Sequence, residues 1–329
     1  MRSVTGRALF GSVLLVAAFA LDSPAGAQST TAVGSPVGKL WQEPVDIESR
    51  DLFYGPGGRD GQPAGRLTFV KEDLSQTKPK FVVRDERGVN WKVKLGIEAQ
   101  PEVAATRLMW AAGYFVDENY FRSTLAVDGL PKLHRGQQYV VAPGVVRGAR
   151  VERKQTGKKL GTWHWFENPF VGTREWNGLR ILMALLNNWD LSSENNAIRS
   201  GEDGVPVYYV SDVGSTLGSA DYIVPTRSKA SQFAHSTFVR HTSDAQVDLR
   251  VRKCPVLLAA VFPYYSYCRR LSRVGDDIPR EDARWMGELL HRLSVGQIAD
   301  AFRAAGYTPT QVTRYTDAVL KRIAVLRSL

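Results

Sequence analysis

The chain has 329 residues, of which 43% are hydrophobic, and its 43 lysines and arginines exceed its 33 aspartates and glutamates to give a formal charge of +10. This composition excludes a collagen-like fibre and a wholly disordered chain, and the length supports two domains or one two-lobed domain with an apolar core. The basic residues are spread along the chain, which is typical of a solvated surface, although a nucleotide or a membrane surface would also suit the surplus. We expect no nucleic-acid partner.

Residues 1–27 have the pattern of a signal peptide. Arg2 and Arg7 precede an apolar run, residues 8–21, and the small residues 25–27 form a cleavage site. The alternative is an uncleaved membrane anchor, but the apolar run is shorter than the roughly 20 residues that a spanning helix needs. We therefore predict cleavage, export to the periplasm or the extracellular space, and no membrane span in the mature chain.

The following residues predict a tail and then antiparallel strands. Residues 28–39 are rich in Ser, Thr, Gly and Ala and lack apolar periodicity, so we assign residues 28–49 to a flexible tail in which order begins near Trp41. Short β-rich runs separated by Gly, Asp and Pro clusters come next, as in strands joined by turns. These runs are residues 67–70, 80–84 and 90–95, with a predicted hairpin turn at residues 85–88.

One helix interrupts the β-rich part of the sequence. Pro101 suits the first position of a helix, Glu102 favours its positive end, and an apolar stripe continues until Gly113. A further β-like run, residues 137–146, precedes a part in which helices dominate. The predicted helices of this later part are residues 179–186, 284–293, 294–305 and 309–326, the third of them with a capping-box spacing between Ser294 and Gln297.

This order of elements predicts an α+β fold with two lobes. A doubly wound parallel sheet would instead alternate strands and helices throughout the chain. The predicted lobes are a β-rich N-lobe with one helix, residues 50–145, and a mainly helical C-lobe, residues 146–329.

Two groups of residues leave their roles open. Cys254 and Cys268 form either one disulfide, as in many exported proteins, or two buried free thiols. A group of aromatic side chains either stacks on sugars or bases or belongs to the core. These aromatic residues are Trp163, Trp165, Phe166, Phe170 and Trp176.

The strand at residues 90–95 carries two lysines with a chemical use. Alternation along the strand places Lys92 and Lys94 on one face, and either could reach the phosphates of a nucleotide. Glu102, in the first turn of the following helix, is a candidate partner that would hold the lysine in place. Taken alone, each residue also fits a plain structural role, since lysines occur on exposed strands and glutamates at helix starts.

Two acidic motifs follow in the second half of the sequence. Asp190 and Asn195 have the Asp-x4-Asn spacing at which a loop presents a base and a metal-binding amide together. Asp212 ends a β-like run as Asp-Val-Gly, where its carboxylate could be a second ligand of Mg²⁺. A turn residue and a strand-end acid are the structural alternatives. The order of lysine, glutamate, Asp-x4-Asn and Asp-x-Gly nevertheless fits a phosphoryl transferase that uses a nucleotide and a metal.

Several stretches share this order with a known family. They are Ser75-Gln-Thr-Lys-Pro-Lys80-Phe81, Trp91-Lys-Val-Lys94, Glu102 with Arg107-Leu108 and Ala112-Gly113, Asn188-Trp-Asp190 with Asn195, and Asp212-Val-Gly-Ser-Thr216. The stretches resemble the HipA-like branch of the atypical kinases, whose fold is also similar to that of phosphatidylinositol kinases. The resemblance covers residues 50–220, and it implies a bilobal kinase fold that binds ATP and Mg²⁺ between the lobes.

The resemblance also implies a role for each matched residue. Two residues depart from the family pattern: Ser192 stands where the family usually has a catalytic-loop histidine, and Glu194 where it often has a lysine. These departures concern phosphoryl transfer and the substrate more than nucleotide binding. The implied roles are a phosphate-binding lysine, Lys94, its ion-pair partner, Glu102, a catalytic aspartate, Asp190, two metal ligands, Asn195 and Asp212, and a turn over the phosphates that includes Ser75 and Lys80.

The sequence thus predicts an exported atypical kinase-like protein. It would transfer the γ-phosphoryl group of a nucleotide to a hydroxyl of a protein or a small molecule. The alternative is an exported pseudokinase, a binding or scaffold module that keeps the fold without catalysis. A carbohydrate-binding protein that uses the tryptophan-rich stretch is a third candidate.

Overall fold

The computed structural model describes residues 38–75, 77–153 and 157–329. The predicted signal peptide, residues 1–27, lies outside the described residues. The predicted α+β fold, with a β-rich first part and a mainly helical second part, is confirmed. In the part of the chain that the structure describes, no helix has both the length and the apolar character needed to cross a bilayer.

The first part is an antiparallel sheet with one helix. The elements are β1 (Thr68–Glu72), β2 (Lys80–Arg84), β3 (Asn90–Leu95), α1 (Ala99–Ala111), β4 (Asn119–Ala126), β5 (Val140–Ala142) and β6 (Val145–Arg153). The strands are neighbours in the order β1-β2-β3-β6-β4, and β5 pairs with β6. Residues 85–88 form the predicted turn between β2 and β3, closed by a hydrogen bond from Gly88 N to Asp85 O.

Alternation along the strands gives this sheet one apolar and one charged face. Trp91, Val93 and Leu95 of β3 are buried in an apolar cluster with residues of β2 and β6. On the other face, Lys94 is paired in register with Lys80 of β2 and with Arg150 of β6. Helix α1 contacts β4 and β6 and also packs against a later helix, residues 295–304, so it joins the sheet to the helical part.

The second part contains helices and two small antiparallel sheets. The predicted capping box of Ser294 and Gln297 is present at the start of α6, and Thr308 and Gln311 form another at the start of α7. The helices are α2 (Arg174–Leu185), α3 (Ala230–His235), α4 (Tyr264–Ser272), α5 (Arg280–His291), α6 (Val295–Ala304) and α7 (Pro309–Ser328). The strands are β7 (Lys159–Gly161), β8 (Asn196–Ser200), β9 (Pro206–Val210), β10 (Val239–Thr242), β11 (Gln246–Leu249) and β12 (Ile278–Pro279).

Two predicted boundaries need correction. The order predicted near Trp41 is present, but the tail assigned to residues 28–49 is too long. Residues 38–49 pack against the rest of the chain: Leu40 and Ile47 are buried, and Trp41 Nε1 donates to Ala112 O at 2.7 Å. The predicted lobe boundary at residues 145 and 146 falls inside β6, because Val145–Arg153 pairs along its length with β3 and β4. The sheet therefore extends through Arg153. The arginines of β6 interrupt the apolar residues, so the alternation that marks a strand is hard to recognise in the sequence.

The structure also resolves the two open alternatives. Cys254 and Cys268 form a disulfide, with a Cα–Cα distance of 5.9 Å. Trp163, Trp165 and Trp176 are buried and pack against one another, with ring centroids 5.0–5.6 Å apart. These tryptophans therefore belong to the core and do not form an open platform for sugars or bases.

The disulfide should contribute measurably to the free energy of unfolding. Replacing both Cys254 and Cys268 with serine frees a closed loop with a sequence separation of 14 residues. Loop-closure entropy predicts that the free energy of unfolding falls by about 3 kcal/mol. Urea denaturation of the double variant and of the parent checks this. A parent protein treated with reductant should match the untreated double variant, and equal stability of parent and variant would contradict the prediction.

Candidate active site

Lys94 lies at the centre of a buried group of carboxylates. Its Nζ is 3.0 Å from Glu98 Oε2, 3.2 Å from Glu102 Oε2 and 2.6 Å from Asp212 Oδ1. Burial alone would lower the pKa of Lys94, but Glu102 and Asp212 outweigh it and raise the pKa above its ordinary value. The lysine therefore stays charged although only 6% of its side chain is exposed.

Arg150 of β6 extends this group into a chain of alternating charges. Its guanidinium donates to Glu102 Oε1 through Nη1 and lies 2.6 Å from Glu152 Oε2 through Nη2. Lys92 Nζ in turn lies 2.6 Å from Glu152 Oε1. Glu102 thus joins the two cations Lys94 and Arg150. Each buried charge has an opposite charge beside it, which is the condition for burying ions at tolerable cost.

Asp212 faces Lys94 from the end of β9. Its φ of 49° lies in the left-handed region, which aspartate tolerates better than most residues. Burial would raise the pKa of Asp212, but Lys94 outweighs it and holds the pKa below its usual range. About 40% of the side chain is exposed. Asp212 is therefore an ionised carboxylate with one side open to a cation or a ligand.

Asp190 and Asn195 lie on a loop that is bonded to the segment of Asp212. Asn195 Nδ2 donates to Asp190 O at 3.2 Å, and Ser211 N donates to Asn195 O at 3.0 Å. Asp190 N in turn donates to Asn188 Oδ1 at 3.2 Å. Burial raises the pKa of Asp190, and the negative charges of Asp212 and Glu98 raise it further. The structure thus places the loop of Asp190 and Asn195 beside the segment of Asp212, and Asp212 in turn contacts Lys94.

These side chains suit a magnesium site that shares its ligands with a nucleotide. Among the described residues, no group of three or more His, Cys, Asp or Glu side chains is placed to hold a metal ion. One Oδ atom of Asp212 and Oδ1 of Asn195 would supply two oxygens. The Nδ2 of Asn195 is engaged as a donor to Asp190 O, which leaves its Oδ1 as the acceptor. Mg²⁺ usually takes only one or two carboxylates from the protein and completes its octahedron with phosphate oxygens and water. The donor set therefore fits a metal that arrives with a nucleotide.

The turn between β1 and β2 reaches the site through an unpredicted residue. Ser75 Oγ donates to Asp73 Oδ1 at 2.6 Å, and Lys80 Nζ lies 3.6 Å from Asp73 Oδ2. Lys78 Nζ instead lies 2.6 Å from Glu98 Oε1, in the group around Lys94. The phosphate-covering role of Ser75 and Lys80 stays a prediction, whereas Lys78 already contacts the site.

Glu98 is the member of the group that the sequence analysis missed most clearly. Its carboxylate pairs with Lys78, with Lys94 and with Arg227, which lies over the ring of Trp189 at 4.8 Å. Three cations from different parts of the chain therefore converge on one anionic side chain. The position of Glu98 at the turn from β3 into α1 brings it beside Lys94, which a helical i,i+4 spacing does not predict because Lys94 belongs to a strand. Arg150 and Glu152 required the pairing of β6 with β3.

A cavity of about 540 Å³ lies against the charged face of the sheet. Lys92 and Glu152, which belong to the charge chain, line it together with Val82, Asp117 and Arg199. Its volume is within the range of small-molecule sites. Through Lys92 and Glu152, the cavity adjoins the row of charges that ends at Lys94.

A second cavity, of about 250 Å³, lies beside the loop that carries Asp190. Ser192 and Glu194 of the loop line it, together with Tyr267 and Arg270 of α4. Tyr267 is hydrogen-bonded to Ser192, and burial and then the negative charge of Asp190 raise the pKa of its hydroxyl. Asp190 therefore lies near this cavity without lining it.

The comparisons with known proteins give structural neighbours only. No family model matches the sequence, and none of the curated proteins matches it. The proinflammatory kinase CtkA of Helicobacter pylori is similar at 10% identity and a TM-score of 0.47, over 81% of this chain and 98% of that chain. A Golgi casein kinase with Mn/ADP bound is similar at 10% identity and a TM-score of 0.41, over 81% of this chain and 73% of that chain. At such values, what the site can do must come from its own contacts.

Because Glu102 joins two buried cations, we expect that neutralising it lowers the free energy of unfolding. Glu102→Gln leaves Arg150 and Lys94 buried with one carboxylate fewer, and breaking a buried ion pair costs about 3 kcal/mol or more. Urea denaturation should show this loss. The control is Glu48→Gln, since Glu48 pairs with Arg292 on the exposed surface and should matter little. Equal effects of the two substitutions would contradict the prediction.

The raised pKa of Asp117 should make the stability of the protein depend on pH. Burial, and then the charge of Glu152, raises its pKa from 3.8 to about 7. The folded protein therefore holds this proton more tightly than the unfolded chain, so stability falls as pH rises from about 4 to about 7. Asp117→Asn should flatten this fall and be relatively more stable above pH 7.

Urea denaturation across this pH range measures the effect of Asp117→Asn. Asp60→Asn, at an exposed carboxyl, measures the effect of removing one negative charge elsewhere. A profile for Asp117→Asn as steep as that of the parent would show that Asp117 does not titrate in this range.

Proposed function

We propose that this chain is a kinase-like phosphotransferase that binds ATP with Mg²⁺ and transfers the γ-phosphoryl group to a hydroxyl of a protein or a small molecule. The observation that carries the proposal is the position of Lys94, whose Nζ contacts Glu102 of α1 and Asp212 after β9 at the same time. A fixed lysine beside a metal-binding carboxylate is the arrangement that positions nucleotide phosphates.

The residues of the chain divide the work of transfer. Lys94 binds phosphate oxygens, while Glu102 keeps its ammonium group from turning away. When bound, Mg²⁺ would neutralise charge on the phosphates, and Asn195 and Asp212 would hold it. Asp190 orients the acceptor hydroxyl and takes its proton as the hydroxyl oxygen bonds to the γ-phosphorus and ADP departs. The raised pKa of Asp190 makes it a better base than an exposed aspartate.

A pseudokinase is the second candidate, and one observation favours it. The carboxylate of Glu98 already joins Lys78, Lys94 and Arg227, which are the cations that a polyphosphate would need. Ser192 and Glu194, which replace the histidine and lysine usual in the resembling family, also fit a site with reduced transfer. In this candidate function, the chain binds partners through the same fold without catalysis.

Export is part of the proposal. The charged start, apolar run and small-residue site of residues 1–27 support a cleaved signal peptide. The disulfide between Cys254 and Cys268 also supports an oxidising compartment, because such bonds persist outside the reducing cytosol. We therefore place the mature protein in the periplasm or outside the cell.

Three substitutions test the proposed roles. Lys94→Met and Asp212→Asn should weaken Mg²⁺-dependent ATP binding and abolish transfer, because each removes a contact to the phosphates or the metal. Asp190→Asn should leave binding nearly intact and lower transfer by about 10² to 10⁴. Thermal shifts with ATP, with and without Mg²⁺, measure binding, and radiolabelled ATP measures transfer. Lys132→Met, at an exposed surface lysine, is the matched control.

The pattern of outcomes separates the candidates. Binding without transfer in the parent protein identifies a pseudokinase. Transfer that survives both Asp190→Asn and Asp212→Asn would refute the mechanism, since neither carboxylate would then take part. A parent protein that shows no Mg²⁺-dependent ATP shift would refute both candidates as nucleotide-binding proteins.

A further inference from the structure

The loop closed by the disulfide displays apolar side chains to solvent. Val256, Leu257, Val261 and Phe262 are between 59% and 76% exposed. The loop ends are held at a Cα–Cα distance of 5.9 Å by Cys254 and Cys268. Large apolar side chains that stand out together from a closed loop are uncommon on soluble surfaces, and they mark an interaction site. We call residues 256–273 the disulfide-loop surface.

The same surface carries aromatic and basic side chains in a fixed order along the chain. After the apolar residues come Tyr264 and Tyr267, each a little over 40% exposed, and then the exposed arginines of α4 and the following turn. Residues 251–275 contain five basic residues and no acidic residue. The exposed arginines are Arg269, Arg270 and Arg273.

The apolar, aromatic and basic side chains of this surface suit a lipid surface. Exposed apolar side chains enter the boundary of the acyl chains, tyrosines prefer the headgroup level, and arginines attract anionic headgroups. A second copy of the chain would instead bring two sets of exposed arginines together, and like charges repel. The charges therefore favour an anionic bilayer over self-association.

We propose that the disulfide-loop surface binds the protein peripherally to an anionic membrane surface. Tyr267 and Arg270 belong both to this surface and to the 250 Å³ cavity lined by Ser192 and Glu194. Membrane binding therefore places the loop of Asp190 at the headgroup level. The proposal does not depend on catalysis, because the apolar and basic side chains are separate from the group around Lys94.

Vesicle sedimentation tests the proposal with the full mature chain. The protein should sediment with vesicles that contain phosphatidylglycerol and stay in solution with vesicles of phosphatidylcholine alone. Leu257→Glu with Phe262→Glu should lower the partition coefficient at least about tenfold, because two inserted apolar side chains become charged. Arg269→Gln with Arg270→Gln should lower binding to the anionic vesicles and make the remainder less sensitive to salt.

Matched controls separate this result from misfolding and from the proposed function. Val295→Glu changes another exposed valine, on α6, and should leave vesicle binding unchanged. The thermal midpoint and the ATP shift of the loop variants should equal those of the parent, so failure of vesicle binding and failure of nucleotide binding are seen separately.

Several results would overturn the proposal. One is the absence of sedimentation with anionic vesicles, and another is equal binding to neutral vesicles. Vesicle binding that the Leu257→Glu and Phe262→Glu variant retains would place the membrane site elsewhere. A concentration-dependent dimer that this variant loses, or an acidic protein partner bound in the absence of any vesicle binding, would show that the surface docks a protein instead.

Discussion

The salt bridge between Lys94 and Glu102 is the interaction on which the rest of the site depends. Both side chains are buried, so breaking the bridge leaves each of them with one opposite charge fewer in a region of low polarity. The bridge requires β3 and α1 to hold one relative position. Arg150 adds the same requirement for β6, because its guanidinium shares Glu102 with Lys94. One buried carboxylate thereby fixes two strands and a helix against each other.

The same charges connect the sheet to the second half of the chain. Asp212 reaches Lys94 from the end of β9, and Arg227 reaches Glu98 from the loop that follows. In the proposed function, nucleotide phosphates would compete with these contacts for the cations that Glu98 holds. Nucleotide binding would then oppose the pairing of the two halves in part. The affinity for the nucleotide would depend on how far Glu98 can move away when phosphates arrive.

Local sequence patterns predicted the residues whose roles are set within one element. Alternation in β3 placed Lys94 opposite the apolar face, and the helix start placed Glu102 one element later. Arg150 escaped prediction because its role comes from the register of β6 against β3, which a single strand does not reveal. For the same reason the lobe boundary was set inside β6. The packing of residues 38–49 also depends on distant partners, such as the contact of Trp41 with Ala112.

The basic residues are distributed differently over the whole chain and within one segment of it. Over the whole chain the basic residues looked evenly spread, yet residues 251–275 hold five of them without one acid. The disulfide turns this stretch back on itself beside the loop of Asp190. Three of its basic residues, Arg269, Arg270 and Arg273, are exposed there on one segment. Tyr267 contacts both the loop and that surface. Arg270 likewise belongs both to the disulfide-loop surface and to the lining of the 250 Å³ cavity, so a ligand of that cavity would lie against this surface. The 540 Å³ cavity lies instead against the charged face of the sheet. The two cavities therefore share no lining residue and are open to different ligands.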